Sequence, residues 1–471
     1  MRWIVFVLSF LPFVGAAQDL YWGETKIVND ALAFGYSRPK IGLTDDGTPV
    51  VMWGKSNSTD IFVSRMENGV ASEPIQVNPP NVHAFYQSWA GPSMAVKGQK
   101  VMITFKSQPD EEGHIYLVQS NDGGKTFGDT VRVITDNWSR FPEVAIDESG
   151  NPVINYMKFE EHWMDPQYSV LVSDDGGLSF SEPVAVRGTT EGESCDCCPG
   201  HVAVEGDGIY AIYRNNDANI RDMFLGYSFD GGASFDAVRI DLNDWEIPGC
   251  PSTGGGAAFT TESMYATWMS GASGVARVNI ARIDKSNPEN FVSVELSPGY
   301  EFNENFPKIA GDDSMMGIVY QDASSGGWDL MFKWAADFDI TDLSNLNEKV
   351  INEQTIGSQM NVDVLFANGT FHFVWQDQKE KAIMYRAASV HPDGVQEHAA
   401  DEIVLFPNPV EERLRIVGVQ SQDQIGIYDV KGRCLLQGIG SDVDVSTLPT
   451  GVYRLGLKRN GKTMGKTFVK E

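Results

Sequence analysis

An eight-residue stretch, written three times, limits this chain more than anything else in it. Ser120-Asn-Asp122-Gly-Gly124-Lys-Thr126-Phe127 returns as Ser173-Asp-Asp175-Gly-Gly177-Leu-Ser179-Phe180 and as Ser228-Phe-Asp230-Gly-Gly232-Ala-Ser234-Phe235, at steps of 53 and 55 residues. A fixed period of that size marks a propeller, a solenoid or an array. Each copy reads as a hairpin turn between two apolar runs. Its glycines accept positive φ, its Asp and Ser/Thr side chains bond the turn's own backbone, and its Phe packs beneath.

A second repeat runs through a longer part of the chain. A pair of apolar strands ending in an aromatic residue recurs at Trp53, Phe105, Tyr156, Tyr213, Trp268, Tyr320 and Trp375, at steps of 52, 51, 57, 55, 52 and 55 residues. Prolines at 39, 92, 142, 199 and 307 precede the first strand of a unit, where an extended start needs no N–H. Two further strands complete each unit, as at His114–Gln119 and Thr130–Ile134, and four strands in such a repeat describe one propeller blade. The expected fold class is therefore all-β: a propeller, with seven four-stranded blades favoured over six. The seventh unit holds only three strands before the pattern stops, so the strand Thr25-Lys-Ile-Val-Asn29 is expected to supply its fourth and close the ring.

The thrice-written stretch fits S-x-D-x-G-x-[ST]-[FW], the Asp box or BNR repeat, and the chain resembles the Asp-box propellers, among them the sialidases. In that superfamily the box lies on the side away from the active site, and sialidase catalytic domains carry six blades. The resemblance implies an open face opposite the boxes, built from the loops that lead into the first strand and out of the second. A sialidase-like mechanism would need three arginines for a substrate carboxylate, a Tyr with a neighbouring Glu as nucleophile, and an Asp as acid/base. Arg38 stands where sialidases carry the first arginine of an Arg-Ile-Pro motif, although the motif here is Arg-Pro-Lys. Arg140, Arg214 and Arg221 are the other candidate carboxylate ligands, His162 a further ligand-binding candidate, and Tyr385, Asp217 and Asp377 the catalytic candidates. Against each stands an ordinary structural role in an ion pair or in the core.

Composition narrows the compartment and the partners. A formal charge of −28 over 471 residues argues against nucleic acid. Residues 1–17 read as a signal peptide, with Arg2, an apolar run from Trp3 to Val14, and small residues at Gly15-Ala-Ala17. No run reaches the length of a transmembrane span. Residues 18–390 are assigned to the propeller, 391–401 to a linker and 402–471 to a separate domain. The last of these carries Leu405-Phe-Pro-Asn-Pro409, Ile427-Tyr428-Asp429, Leu448-Pro-Thr-Gly451-Val-Tyr453 and Lys466-Thr-Phe-Val-Lys470, and closely resembles the C-terminal sorting domain of type IX secretion cargo, which implies a small β-sandwich. That resemblance implies a secreted or surface protein of a Gram-negative bacterium, handled by the type IX machinery. Only 9 of the 64 acidic residues fall after residue 400, against 10 of the 36 basic ones, so the acidity belongs to the propeller.

Four of the five cysteines gather at two neighbouring unit starts, in Glu193-Ser-Cys195-Asp-Cys197-Cys198-Pro-Gly-His201 and Trp245-Glu-Ile-Pro-Gly-Cys250-Pro251. Three readings remain open: two disulfides with Cys250 tied into the cluster, a soft-metal site for copper or zinc assisted by His201 or Asp196, or redox chemistry. No cofactor is required by any motif. The functional expectation is an exported sialidase-like propeller that binds an extracellular glycan, with hydrolysis of that glycan as the catalytic form of the same reading. The alternatives are a non-catalytic adhesion propeller and a cysteine-based metal-binding one.

Overall fold

The computed structural model describes residues 20–29, 37–55, 59–390, 404–406, 409–417, 424–429, 433–438, 442–459 and 462–470. The signal segment and the linker expected at 391–401 lie outside the described residues. The chain divides into two compact units, Met1–Val395 and Gln396–Glu471.

Seven antiparallel sheets make up the first unit. Their innermost strands are Lys40–Leu43, Ser93–Lys97, Ser139–Ile146, His201–Glu205, Gly256–Phe259, Glu304–Gly311 and Gln359–Ala367. Each inner strand adjoins that of the next blade, and the last adjoins the first, so a closed ring surrounds a central channel. The backbone N–H of Ile41 in blade one donates to Asp363 Oδ2 of blade seven at 3.0 Å across the closing seam.

Blade seven is completed as its missing strand required. Its own three strands are Gln359–Ala367, Thr370–Asp377 and Ala382–Ser389, and the N-terminal strands Lys26–Asn29 and Tyr21–Trp22 pair with the last of them. The two N-terminal strands cover the last strand of blade seven, which would otherwise end its sheet as an exposed edge. The aromatic residues at the ends of the second strands are core: Trp53, Phe105, Tyr156, Tyr213, Trp268, Tyr320 and Trp375 are all at most 2% exposed.

The repeated turn joins the third and fourth strands of blades two, three and four. In the first copy, Ser120 Oγ donates to Asp122 Oδ1 (2.7 Å), the Gly124 N–H donates to Ser120 Oγ (2.9 Å) and Thr126 Oγ1 donates to Asp122 Oδ2 (2.6 Å). Asp175 and Asp230 repeat this network. Gly123 and Gly124 both take positive φ, 72° and 82°, which leaves no room for another residue type without strain. The Gly123 N–H donates to Gln99 O, so the turn sits beside the turn between the first and second strands, and the remaining loops form the opposite face.

The Thr126 hydroxyl above all, with the Thr126 amide and the Ser120 hydroxyl, holds the Asp122 carboxylate down at about 2 against the opposing effect of burial. A carboxylate depressed in the fold stabilises above its unfolded pKa, and that contribution is lost as pH falls toward 2. Replacing Asp122 by alanine is expected to cost about 1 to 2 kcal/mol through the lost bonds. Urea unfolding at neutral pH measures it, and the difference from wild type should shrink on acidification.

The second unit is a β-sandwich. One sheet holds Val404–Phe406, Arg413–Val417 and Asp442–Asp444, and the other holds Cys434–Gly438, Gln424–Tyr428, Gly451–Arg459 and Lys462–Lys470. Leu414, Ile416, Ile425, Ile427, Leu455, Leu457 and Phe468 fill its core.

Candidate functional site

The inner strands begin with a repeated kink. Arg38, Phe141, Phe306 and Asn361 take φ of 43°, 51°, 49° and 56°, and the residue two places on is charged in all four blades: Lys40, Glu143, Lys308 and Asp363. In three of them the pairing register slips at the kink, between Arg140 and Glu143, Asn305 and Lys308, and Met360 and Asp363. A bulge of this kind re-aims a side chain, and here it directs charge toward the channel.

These groups meet at the channel mouth. Ser93 Oγ donates to Glu143 Oε2 at 2.8 Å, His201 Nδ1 lies 4.0 Å from that oxygen, and Lys308 Nζ donates to Gly255 O at 3.2 Å. Arg38 donates Nη1 to Asn361 Oδ1 (2.9 Å) and to Ser88 O (3.1 Å), with its guanidinium 5.7 Å from the Phe306 ring centroid. A cavity of about 40 Å³ lies among them, lined also by Trp89, Phe141 and Phe306. It has room for roughly three waters.

Burial governs how these groups titrate. It lowers Lys308 to about 8, helped by the Lys40 charge, and Arg38 to about 10. Burial, then the Lys308 charge, pushes His201 down to about 4, so its imidazole is neutral at neutral pH. For Glu143 burial pulls upward, yet Lys40, His201, Lys308 and the Ser93 hydroxyl together keep it below its ordinary range. The mouth thus gathers three basic side chains, Arg38, Lys40 and Lys308, against the carboxyl groups of Glu143 and Asp363.

Toward blades two and three the same face carries aromatic side chains. The Trp138 and Trp163 rings meet edge-on at 5.0 Å, and His162 lies 5.8 Å from Trp138. His162, Trp163 and Asp165 hold φ of 64°, 63° and 45° in one short connection. Three such residues so close together store strain that the surrounding packing has to hold.

The four arginines do not share a pocket. Arg38 lines the channel cavity. Arg140 pairs with Asp110, Nε to Oδ2 at 2.6 Å, and stacks 4.1 Å over Trp163. Arg214 is buried and donates to the carbonyls of Arg221 and Met269, both at 2.6 Å. Arg221 donates to Ile247 O and to Cys195 Sγ.

The catalytic candidates lie apart from the mouth. Tyr385 is 5% exposed within the blade core, its hydroxyl 2.7 Å from His372 Nδ1. Asp377 is buried and accepts the backbone N–H groups of Lys379 and Glu380 and the amide of Gln359. Asp217 sits in an exposed turn bridged to Ile220. Lys40, Glu143, Lys308 and Asp363 escaped the sequence reading. The triplets Arg38-Pro39-Lys40, Phe141-Pro142-Glu143 and Phe306-Pro307-Lys308 carried the signal, a charged residue after each strand-leading proline.

Among the cysteines, Cys197 and Cys250 form a disulfide, while Cys195 and Cys198 are buried thiols with their sulfurs 2.9 Å apart. The three sulfurs of Cys195, Cys197 and Cys198 lie within 4.8 Å of one another, but they could serve as three thiolate ligands for a soft cation only with the Cys197–Cys250 bond reduced.

Similar solved structures include a Hadza microbial sialidase at 12% identity, covering 77% of this chain and 67% of that one with a TM-score of 0.47. An ulvan lyase of polysaccharide lyase family 25 follows at 10% identity, covering 78% and 95% with a TM-score of 0.49. A Trypanosoma rangeli sialidase covers 93% and 85% at 12% identity with a TM-score of 0.42. No curated protein matches the sequence. No helix among the described residues is long and apolar enough to cross a membrane. Residues 404–471 match the secretion system C-terminal sorting domain, and that domain directs the chain through type IX secretion to the cell surface or beyond.

Proposed function

We propose that the propeller binds an acidic extracellular glycan at its channel mouth without cleaving it. One observation carries this reading: Arg38, Lys40 and Lys308 outnumber Glu143 among the residues lining a recessed cavity framed by Trp89, Phe141 and Phe306, with Asp363 acting from beside it. A chain of net charge −28 that gathers cations in one recess has built a short-range anion site. A cavity of about 40 Å³ admits a carboxylate or sulfate group, not a sugar ring. The ring would then rest on the rim, where aromatic faces offer apolar contact to its C–H surface.

A glycosidase keeps one carboxyl protonated by raising its pKa; among the described residues lining the mouth Glu143 is instead held low, and Tyr385 lies inside the core, which supports binding over cleavage. In this reading the sorting domain, joined through 391–401, delivers or anchors the propeller.

Immobilised polysaccharides bearing uronic or sialic acids, beside their carboxyl-reduced forms, test the proposal. Retention on the acidic forms alone is expected, weakening as salt rises. Equal retention on the reduced forms, or release of free sugar, would overturn it.

A further inference from the structure

Beside the channel, two buried arginines face a sulfur. Arg214 and Arg221 are 1% and 8% exposed, and their hydrogen bonds run to carbonyls with one exception: Arg221 Nη1 lies 3.0 Å from Cys195 Sγ. The Asp222 and Asp241 carboxylates act on Arg214, whereas the described side-chain bonds of Arg221 reach a carbonyl and Cys195 Sγ, so a thiolate at Cys195 would supply the counter-charge that a buried guanidinium needs. The bond from Cys198 and the two arginines bring Cys195 down to about 7 against its burial, whereas burial and the neighbouring sulfur raise Cys198 well above its ordinary value. A low-pKa sulfur in an electropositive recess is the setting of a reactive cysteine.

The targets are within reach. Cys195 Sγ is 3.7 Å from Cys197 Sγ and 2.9 Å from Cys198 Sγ, and Cys197 is bonded to Cys250, which is exposed. Two thiolates on one tetrahedral zinc stand roughly 3.8 Å apart, given a Zn–S bond of about 2.3 Å. The closest pair here is nearer than that. Its spacing suits sulfurs about to bond with each other.

We propose that Cys195, Cys197, Cys198 and Cys250 form a thiol–disulfide exchange centre that carries an electron pair from the buried dithiol to the exposed sulfur. In the first step the Cys195 thiolate attacks Cys197 Sγ. The Cys195–Cys197 bond forms, the Cys197–Cys250 bond breaks, and Cys250 leaves as a thiolate that takes a proton from solvent. In the second step Cys198 gives up its proton and attacks Cys195 Sγ, releasing the Cys197 thiolate. The dithiol is oxidised, the surface disulfide is reduced, and no outside oxidant is consumed. The reduced Cys197/Cys250 pair can then reduce a disulfide of a peptide or small thiol carrier, returning to its own disulfide as that substrate gains two thiols.

The test uses the full chain carrying Cys434→Ser, which removes the remaining exposed thiol. The protein is poised in a dithiothreitol redox buffer so that two of the four cysteines are reduced, trapped under native conditions with N-ethylmaleimide, and mapped by peptide mass. Both the Cys195–Cys198 and Cys197–Cys250 linkages are expected in the trapped population. Cys198→Ser should accumulate a Cys195–Cys197 linkage. Arg221→Gln should slow exchange at least tenfold at neutral pH and move its pH midpoint upward, while leaving all four cysteines in place. Cys197–Cys250 as the sole linkage, with Cys195 and Cys198 labelled only after unfolding, would overturn the proposal. So would four reduced cysteines holding stoichiometric copper or zinc in the purified protein.

Discussion

Replacing Phe332 by alanine is expected to destabilise the propeller by about 3 to 5 kcal/mol, the usual cost of deleting a fully buried phenyl ring. Phe332 belongs to blade six and has no exposed surface. Its ring lies 4.8 Å from Phe373 and 5.0 Å from Phe371 in blade seven, 5.2 Å from Trp334, and 6.1 Å from Trp22 on the N-terminal strand. Trp22 itself stacks on Phe373 at 5.8 Å. One cavity would therefore loosen blade six, blade seven and the strand that closes the ring. Denaturant unfolding gives the loss in stability, and limited proteolysis should reach residues 20–29 sooner than in wild type. A loss below about 1 kcal/mol, smaller than a single buried methyl pair commonly costs, would mean that this cluster does not carry the closure.

Binding at the channel mouth should depend on Lys40 and Lys308. A charge-assisted hydrogen bond is worth about 1.5 to 3 kcal/mol, so Lys40→Met and Lys308→Met should each weaken an acidic glycan roughly 10- to 100-fold. The double variant should not be retained. Lys308 titrates at about 8, so binding should fall as pH rises through that value. Stability moves the other way. Between 8 and the ordinary lysine pKa the unfolded chain holds a proton that the native channel has released, and this group's contribution to stability therefore rises with pH across that window. Lys308→Met should leave unfolding at neutral pH unchanged or improved, which separates lost binding from lost fold. Affinity unchanged from pH 7 to pH 9 would remove Lys308 from the site.

The two halves of this expectation differed in how far the residues could be read in advance. Ser120 to Phe127 announced its turn because the side-chain bonds of Ser120 and Asp122 all close within seven positions, and local bonding is visible in local order. The channel mouth draws Lys40, Glu143, Lys308 and Asp363 from four blades, with up to 323 positions between partners. Each alone looks like an ordinary charged residue at a strand end. Arg214 and Arg221 show the same limit from the other side: their positions suggested an open face, yet packing beneath Trp245 and Cys195 turned both inward, to carbonyls and a sulfur.

Periodicity therefore determined the propeller, its seven-blade spacing and the closing role of residues 26 to 29, because strand alternation and turn chemistry repeat along the chain, while the separate C-terminal sandwich followed from its resemblance to a sorting domain. Tertiary structure alone decided which charges share the channel, that Cys250 joins Cys197, and that Cys195 faces Cys198. Those choices depend on how seven similar blades meet around an axis, and a one-dimensional repeat holds no record of which side chains that closure brings face to face.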